Sequence, residues 1–288
     1  MPTYRNAYPY PGGKSTLAHW VIDQLPPHET FVDVFHGGGS VLVQKPESKI
    51  EVVNDKDSDI VQFLRVLRER PDDLREWFES ITVARDTHRR FANQFYDEFR
   101  PDDPVERAGR FAYLRHSQYA TKYTGVSGVR TRAGRNTSGR VRDWSDNLRE
   151  LAERYRHVQV DNRDWRDVIN RYDGADVCFY ADPPYPDASR CLYRVGDGFD
   201  HEALARQLRE VDAEWVVSYE RVPDAIESAA ETVIERTDGH TEADDRERVE
   251  RLAVSFNPES LPAWGGAAGG TGRQSRLASP GADADTNW

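Results

Sequence analysis

Residues 30–55 carry the pattern that restricts this chain most. Thr30–Val34 (TFVDV) reads as a short buried strand, His36–Ser40 follow with three consecutive glycines, and Lys49–Asp55 (KIEVVND) reads as a second strand that ends in acids. A strand that meets Gly37-Gly38-Gly39 and then a helix or tight turn opens a β–α unit, because glycine lets the backbone turn sharply and approach a ligand closely. The alternation continues downstream. Ser58–Arg70 places Ile60, Val61, Phe63, Leu64 and Leu67 at helical spacing, with Ser58 as the expected N-cap. Strands are expected within Arg156–Trp165, Ala175–Asp187, Glu214–Glu220 and Glu231–Arg236, and an amphipathic helix over His201–Val211. This order predicts an α/β fold with a mostly parallel, doubly wound sheet.

The alternation is interrupted once. From Pro71 to about Arg156 the text is helix-like and strand-poor, and it contains a glycine-rich arginine stretch, TGVSGVRTRAGRNTSGRVRDW. The expected organisation is therefore a sheet domain assembled from residues 1–66 and 157–260, with residues 67–156 as a helical insertion. Residues 261–288 are rich in glycine and alanine without periodicity and are expected to be disordered.

Three segments carry candidate chemistry. Asp55, 18 residues after Gly37, closes the second strand, where an acid can accept hydrogen bonds from ribose hydroxyls at the carboxyl ends of parallel strands. The full Gly-x-Gly-x-x-Gly pattern is absent, since Ser40, Val41 and Leu42 follow Gly39, which argues against a nicotinamide cofactor. Asp182-Pro183-Pro184-Tyr185 follows a buried strand. Its prolines lack an N–H and stiffen the turn, so the Asp182 and Pro183 carbonyls, the Asp182 carboxylate and the flat Tyr185 ring suit a planar group bearing an amino substituent. The third segment is Tyr10-Pro11-Gly12-Gly13-Lys14-Ser15-Thr16. A phosphate-gripping loop would need a glycine at position 8, where Tyr8 stands, and a preceding buried strand, so a P-loop nucleotide hydrolase is excluded.

Taken together and in order, YPGGK, DVFHGGGSV, VVNDKDSDIVQFLRVLRE and FYADPPY closely resemble the DNA adenine-N6 methyltransferases of the Dam-like (D12) class, over roughly residues 5–220. The resemblance implies a Rossmann-like sheet that binds S-adenosylmethionine, with the insertion recognising the DNA target. It implies that Tyr10, Gly12, Gly13 and Lys14 pack beside the glycine turn and help hold the cofactor, Lys14 pairing with the methionine carboxylate or reaching DNA. Asp33, Phe35, Gly37 and Gly39 would line the same site, Asp55 would bind the ribose, and Asp164 and Trp165 would flank the adenine. Asp33 stands where glutamate is frequent in the family, Trp165 where phenylalanine is, and His36 is a departure that the sequence leaves unexplained. Asp182 and the Pro183 carbonyl would hold the target amino group so that its lone pair faces the sulfonium methyl, with Tyr185 stacked on the base. The base must leave the double helix to get there. Neither a metal nor a covalent intermediate is needed. Two alternatives stay open: cytosine-N4 methylation, since that amine is similar, and a noncatalytic DNA-binding protein of the same fold.

The chain is acidic, with a net charge of −11, which argues against nonspecific coating of nucleic acid. Yet Arg130, Arg132, Arg135, Arg140 and Arg142 fall within thirteen residues that hold no acid, and they are the candidates for contact with double-stranded DNA. Five basic residues are lysine (Lys14, Lys45, Lys49, Lys56, Lys122) and the rest arginine, as in a halophile's protein or one from a GC-rich genome. Two cysteines, Cys178 and Cys191, make no disulfide framework, and no apolar run is long enough to span a membrane. A monomer in the cytoplasm is expected, without membrane partners; a restriction endonuclease partner is compatible with the resemblance.

Overall fold

The computed structural model describes residues 5–10, 12–118, 137–186, 198–238 and 248–260. Its elements are, in order, α1 (Ala18–Asp23), β1 (Thr30–Asp33), α2 (Ser40–Gln44), β2 (Ile50–Asn54), α3 (Ser58–Glu69), α4 (Pro71–Ser80), α5 (Arg85–Tyr96), α6 (Pro104–Ser117), α7 (Thr137–Ser145) and α8 (Leu148–Arg154). β3 (Gln159–Asp161), α9 (Trp165–Tyr172), β4 (Val177–Ala181), α10 (His201–Leu208), β5 (Glu214–Tyr219), α11 (Asp224–Glu227), β6 (Thr232–Asp238) and β7 (Arg248–Val254) follow. The strands form one sheet ordered β3-β2-β1-β4-β5-β7-β6. Pairing is parallel from β3 to β5, and β7 runs antiparallel between β5 and β6.

The central strands β1, β2, β4 and β5 are buried on both faces, as a parallel sheet flanked by helices requires, and the edge strands β3 and β6 are partly exposed. One apolar cluster takes Val32, Val52, Phe179, Trp215 and Val217 together with Trp165, Ile169 and Leu204 of α9 and α10. The other takes Phe31, Val53, Tyr180 and Val216, continues through Ile60, Phe63 and Leu67 of α3, and runs without a break into Leu74, Phe91, Phe111 and Leu151 of the helices that follow. Trp77 and Trp144 pack there, Trp77 against Phe78 and Phe91 and Trp144 against Phe63 and Phe78. Trp144 Nε1 also donates to the Ala7 carbonyl at 2.9 Å, tying α7 to the segment that leads into Gly12-Gly13-Lys14.

Two local expectations are corrected. The N-cap of α3 is Asp57, not Ser58; its carboxylate accepts from the Asp59 N–H at 2.9 Å, which leaves Ser58 as the first helical residue. The last strand, β7, was not foreseen at all. Cys178 is core, its thiol pushed far up by burial. Arg130, Arg132, Arg135, Tyr119, Tyr123, Cys191 and the tail 261–288 lie outside the described residues. Arg140 and Arg142 sit exposed on α7.

Candidate active site

The carboxyl ends of β1, β2 and β4 open into a cleft of about 270 Å³. Its walls follow from strand geometry. β1 ends at Asp33 and the chain turns through Gly37 and Gly39, both at positive φ (51° and 68°), into the first turn of α2. β2 ends at Asn54, whose side chain bonds the Val34 carbonyl at 3.1 Å and the Arg163 N–H at 2.9 Å, so that the exits of β1, β2 and β3 are locked together. β4 ends at Ala181, which delivers Asp182 to the cleft.

Of the residues expected to hold a cofactor, Tyr10, Gly13, Lys14, Asp33, Phe35, Gly37, Gly39, Asp55, Asp164 and Trp165 line this cleft, and Gly12 does not. Gly12 is exposed, and its carbonyl accepts from Lys14 Nζ at 3.2 Å. The glycine turn is also more than an approach path for a ligand. A Cβ on Gly37 would lie 2.9 Å from the Tyr10 ring, one on Gly38 2.8 Å from the Tyr8 carbonyl oxygen, and one on Gly39 2.5 Å from the Tyr155 hydroxyl. Protein packing therefore demands glycine at all three.

His36, left unexplained by the sequence, has a role here. Its Nδ1 is 2.9 Å from Asp33 Oδ2 and its Nε2 2.9 Å from the Tyr155 hydroxyl, all three groups being buried. This fixes Asp33 with its other oxygen, Oδ1, buried and without a hydrogen-bond partner among the described residues. An orphaned carboxylate oxygen on a cleft wall suits a cationic ligand group, since leaving it unmet is costly. Asp55 accepts from the Gly37 N–H at 2.9 Å and the Asp57 N–H at 2.8 Å. Burial pushes its carboxyl up to about 6, with those two N–H bonds opposing. Asp164 caps α9 and pairs with Arg166 at 3.2 Å; burial raises its carboxyl, but the Arg166 N–H and guanidinium prevail and hold it below the usual range. Trp165, 6% exposed, offers a ring with the Arg166 guanidinium 4.4 Å from its centre.

The Asp182 surroundings differ from expectation. Lys14 is engaged within the chain itself: its Nζ lies 2.9 and 3.1 Å from the two Asp182 oxygens and 2.6 Å from the Tyr185 hydroxyl. The cause is its burial, since an ammonium only 5% exposed needs a counter-ion close by. Ser218 on β5 donates to Asp182 Oδ1 at 3.0 Å. Thus the Asp182 carboxylate, read from sequence as an acceptor awaiting a ligand, already has donors. Pro184 lines the cleft, Pro183 is buried, and Tyr185 is not part of the cleft wall: its ring packs on Tyr219 at 5.5 Å and its hydroxyl donates to Glu250 at 2.6 Å. Burial and the neighbouring carboxylates of Asp182 and Glu250 push the Tyr185 hydroxyl well up, so it stays a donor. His201 bonds the Tyr219 hydroxyl at 2.9 Å, in keeping with a packing role. Sequence reasoning missed Ser218 and Glu250, both on strands past the last motif. No local signal marked Glu250, which follows the charged stretch DDRERV and is itself followed by Arg251.

A parallel sheet with one reversed strand near its edge, a glycine turn leaving β1 and Asp-Pro-Pro-Tyr leaving β4 together define a Rossmann-like methyltransferase. Comparison with known sequences narrows this. The chain belongs to the D12 class N6 adenine-specific DNA methyltransferase family, whose profile matches residues 10–242. It is similar to the DNA adenine methylases of Escherichia coli strain K12 and of Escherichia coli O157:H7, each 28% identical over 179 residues. The similarity covers 60% of this chain and 62% of the length of each relative. No helix among the described residues is long and apolar enough to cross a membrane.

Proposed function

We propose that this protein methylates the N6 amino group of adenine in a specific sequence of double-stranded DNA, with S-adenosylmethionine as donor. The observation that carries the reading is one cleft shared by Asp182 at the end of β4, the orphaned Asp33 oxygen and Asp55. Asp33 Oδ1 would receive the cofactor's ammonium, Asp55 its ribose hydroxyls, and Trp165 with Asp164 would flank its adenine. When bound, S-adenosylmethionine supplies an electrophilic methyl group on a sulfonium.

The chain's own contribution is placement. The adenine amine is a weak nucleophile because its lone pair is delocalised into the ring. Acceptors at Asp182 and the Pro183 carbonyl take its two N–H groups and favour a pyramidal nitrogen, a matter of orientation and fixed charge. A base can enter only after flipping from the duplex, and Tyr185, just outside the cleft wall, would stack on it. Arg140 and Arg142 on α7, with Arg130, Arg132 and Arg135, supply phosphate contacts, and the stretch 67–156 serves as the target-recognition unit. We place the enzyme in the cytoplasm as a monomer.

The test is direct. Purified protein is incubated with unmethylated genomic DNA and methyl-labelled S-adenosylmethionine, and the DNA is digested to nucleosides. Label in N6-methyladenine supports the reading. Label in N4-methylcytosine, or tight DNA binding without label, would replace it.

A pH dependence follows from Asp55. Its folded carboxyl holds its proton more tightly than the ordinary carboxyl at 3.8, so its contribution to stability is full below about pH 4 and is lost as pH rises through about 6. Ligand binding has the opposite sense, because the ionised carboxylate is the stronger acceptor for two hydroxyl donors. Affinity for S-adenosylhomocysteine, measured by titration calorimetry, is expected to weaken below about pH 6 by up to about tenfold per unit. Asp55→Asn should bind more weakly at neutral pH and lose that slope.

A further inference from the structure

We propose that Glu250 is a second seat for the Lys14 ammonium, which moves from Asp182 to Glu250 when the target amino group takes the Asp182 carboxylate. This rests on the methylation reading above and assigns Glu250 as a positioning residue for it.

The argument begins with a conflict. The Lys14 ammonium has three N–H groups, and four acceptor atoms lie within 3.2 Å: both Asp182 oxygens, the Tyr185 hydroxyl and the Gly12 carbonyl. Ser218 adds a donor on Asp182 Oδ1. A carboxylate so engaged is a poor acceptor for an incoming amine unless one donor yields. Lys14 is the donor with somewhere to go. It cannot retreat into water, being 5% exposed, and a buried ammonium without an anion is strongly disfavoured. Glu250 on β7 is 1% exposed, and its Oε1 stands 3.5 Å from Lys14 Nζ. The Tyr185 hydroxyl bridges the two places, accepting from Lys14 and donating to Glu250, each at 2.6 Å. A shift of well under a side chain's length therefore exchanges one carboxylate for the other without baring the charge.

Packing alone does not account for a carboxylate at this place. Burial raises the Glu250 carboxyl; Lys14 opposes, and the Asp182 charge adds to the rise. Among the described residues the groups that face it are Lys14, Asp182, Tyr180 and Tyr185, with Arg236, its cross-strand partner on β6, reaching toward the Trp20 ring at 5.9 Å. An apolar residue would avoid this cost. When Glu250 is protonated the second seat is gone and Lys14 stays on Asp182, so transfer should fail on the acid side.

The experiment compares wild type, Glu250→Gln and Glu250→Asp in single-turnover transfer from methyl-labelled S-adenosylmethionine to genomic DNA, at saturating cofactor and across about pH 5 to 8. Glu250→Gln keeps an acceptor for Tyr185 but no charge. It is expected to bind S-adenosylhomocysteine within about twofold of wild type, to transfer about tenfold or more slowly, and to lose the acid limb of the profile. Glu250→Asp should recover part of the rate. Glu235→Gln, at an exposed pair with Arg251, should leave the rate unchanged. A folded Glu250→Gln protein with the wild-type rate and profile overturns the inference. So does a normal Glu250→Gln rate combined with weakened S-adenosylhomocysteine binding in Lys14→Met, which would seat Lys14 on the cofactor instead. If Glu250→Gln fails to fold, as judged by its circular dichroism melt, a wild-type rate that is flat from pH 8 down to about pH 5 overturns it. A wild-type protein that transfers no label fails the methylation reading itself, before any variant is compared.

Discussion

Asp182→Ala is expected to lower single-turnover methyl transfer about a thousandfold or more while the protein stays folded. The carboxylate lies at the mouth of the sheet, its side chain 22% exposed, and the residues that bury β4 are Val177–Ala181 before it. Removing it subtracts little from the core. It does strip Lys14 of its nearest anion, but the Tyr185 hydroxyl, the Gly12 carbonyl and Glu250 remain within 3.5 Å. The stability cost should therefore stay within about 1–3 kcal/mol. Asp182→Asn should be nearly as inactive, because its amide would set N–H groups against the Lys14 ammonium or surrender one of the two oxygens. Rates at saturating cofactor, with binding of S-adenosylhomocysteine followed separately, measure this. Transfer within tenfold of wild type would remove Asp182 from the chemistry.

Gly39→Ala is the substitution expected to cost most in stability. Gly39 is at φ 68°, which disfavours a side chain by about 1–2 kcal/mol. The new Cβ would stand 2.5 Å from the Tyr155 hydroxyl and 2.6 Å from the His36 ring, both buried, so relief means breaking the bond between those two groups. Overpacking of this kind adds about 1–3 kcal/mol. The total, about 2–5 kcal/mol, corresponds to a melting temperature lowered by roughly 3–8 °C for a chain of this size. Because His36 also holds Asp33, binding of S-adenosylhomocysteine should weaken with it. Two comparisons isolate the causes. Gly198→Ala carries the backbone strain, at φ 74°, with nothing near its Cβ among the described residues, and Gly174→Ala has neither strain nor a close contact there. Their melts should fall in that order, Gly174→Ala nearest to wild type; a Gly39→Ala protein no less stable than Gly198→Ala would contradict the packing argument.

How far the sequence could be read depends on which residues carry local signals. Thr30–Asp33 and Ile50–Asn54 are short apolar runs that end at glycines or acids, and the strands appear there. Asp55 and Asp182 could be placed on one cleft because parallel strands bring their carboxyl ends to one edge, whereas Asp33 and Trp165 were assigned to it by the family resemblance; all four line it. What stayed hidden is long-range pairing. Nothing near Lys14 in the chain says that its ammonium will meet a carboxylate 168 residues away, and nothing near Arg248–Val254 says that this strand inserts antiparallel beside β5. His36 looked anomalous for the same reason: its partner Tyr155 stands 119 residues on, at the end of α8. The glycine turn was read as room for a ligand, whereas Tyr8, Tyr10 and Tyr155 occupy the space a side chain would need.

The apolar cluster that passes from Phe31 and Tyr180 through Phe63 into Phe111 and Leu151 has a thermal consequence. Sheet and interposed helices share one apolar interior, so each is expected to lose its order together with the other. Heating should give a single calorimetric peak whose van't Hoff and measured enthalpies agree, and two separate peaks would mean that the shared interior does not hold the halves together.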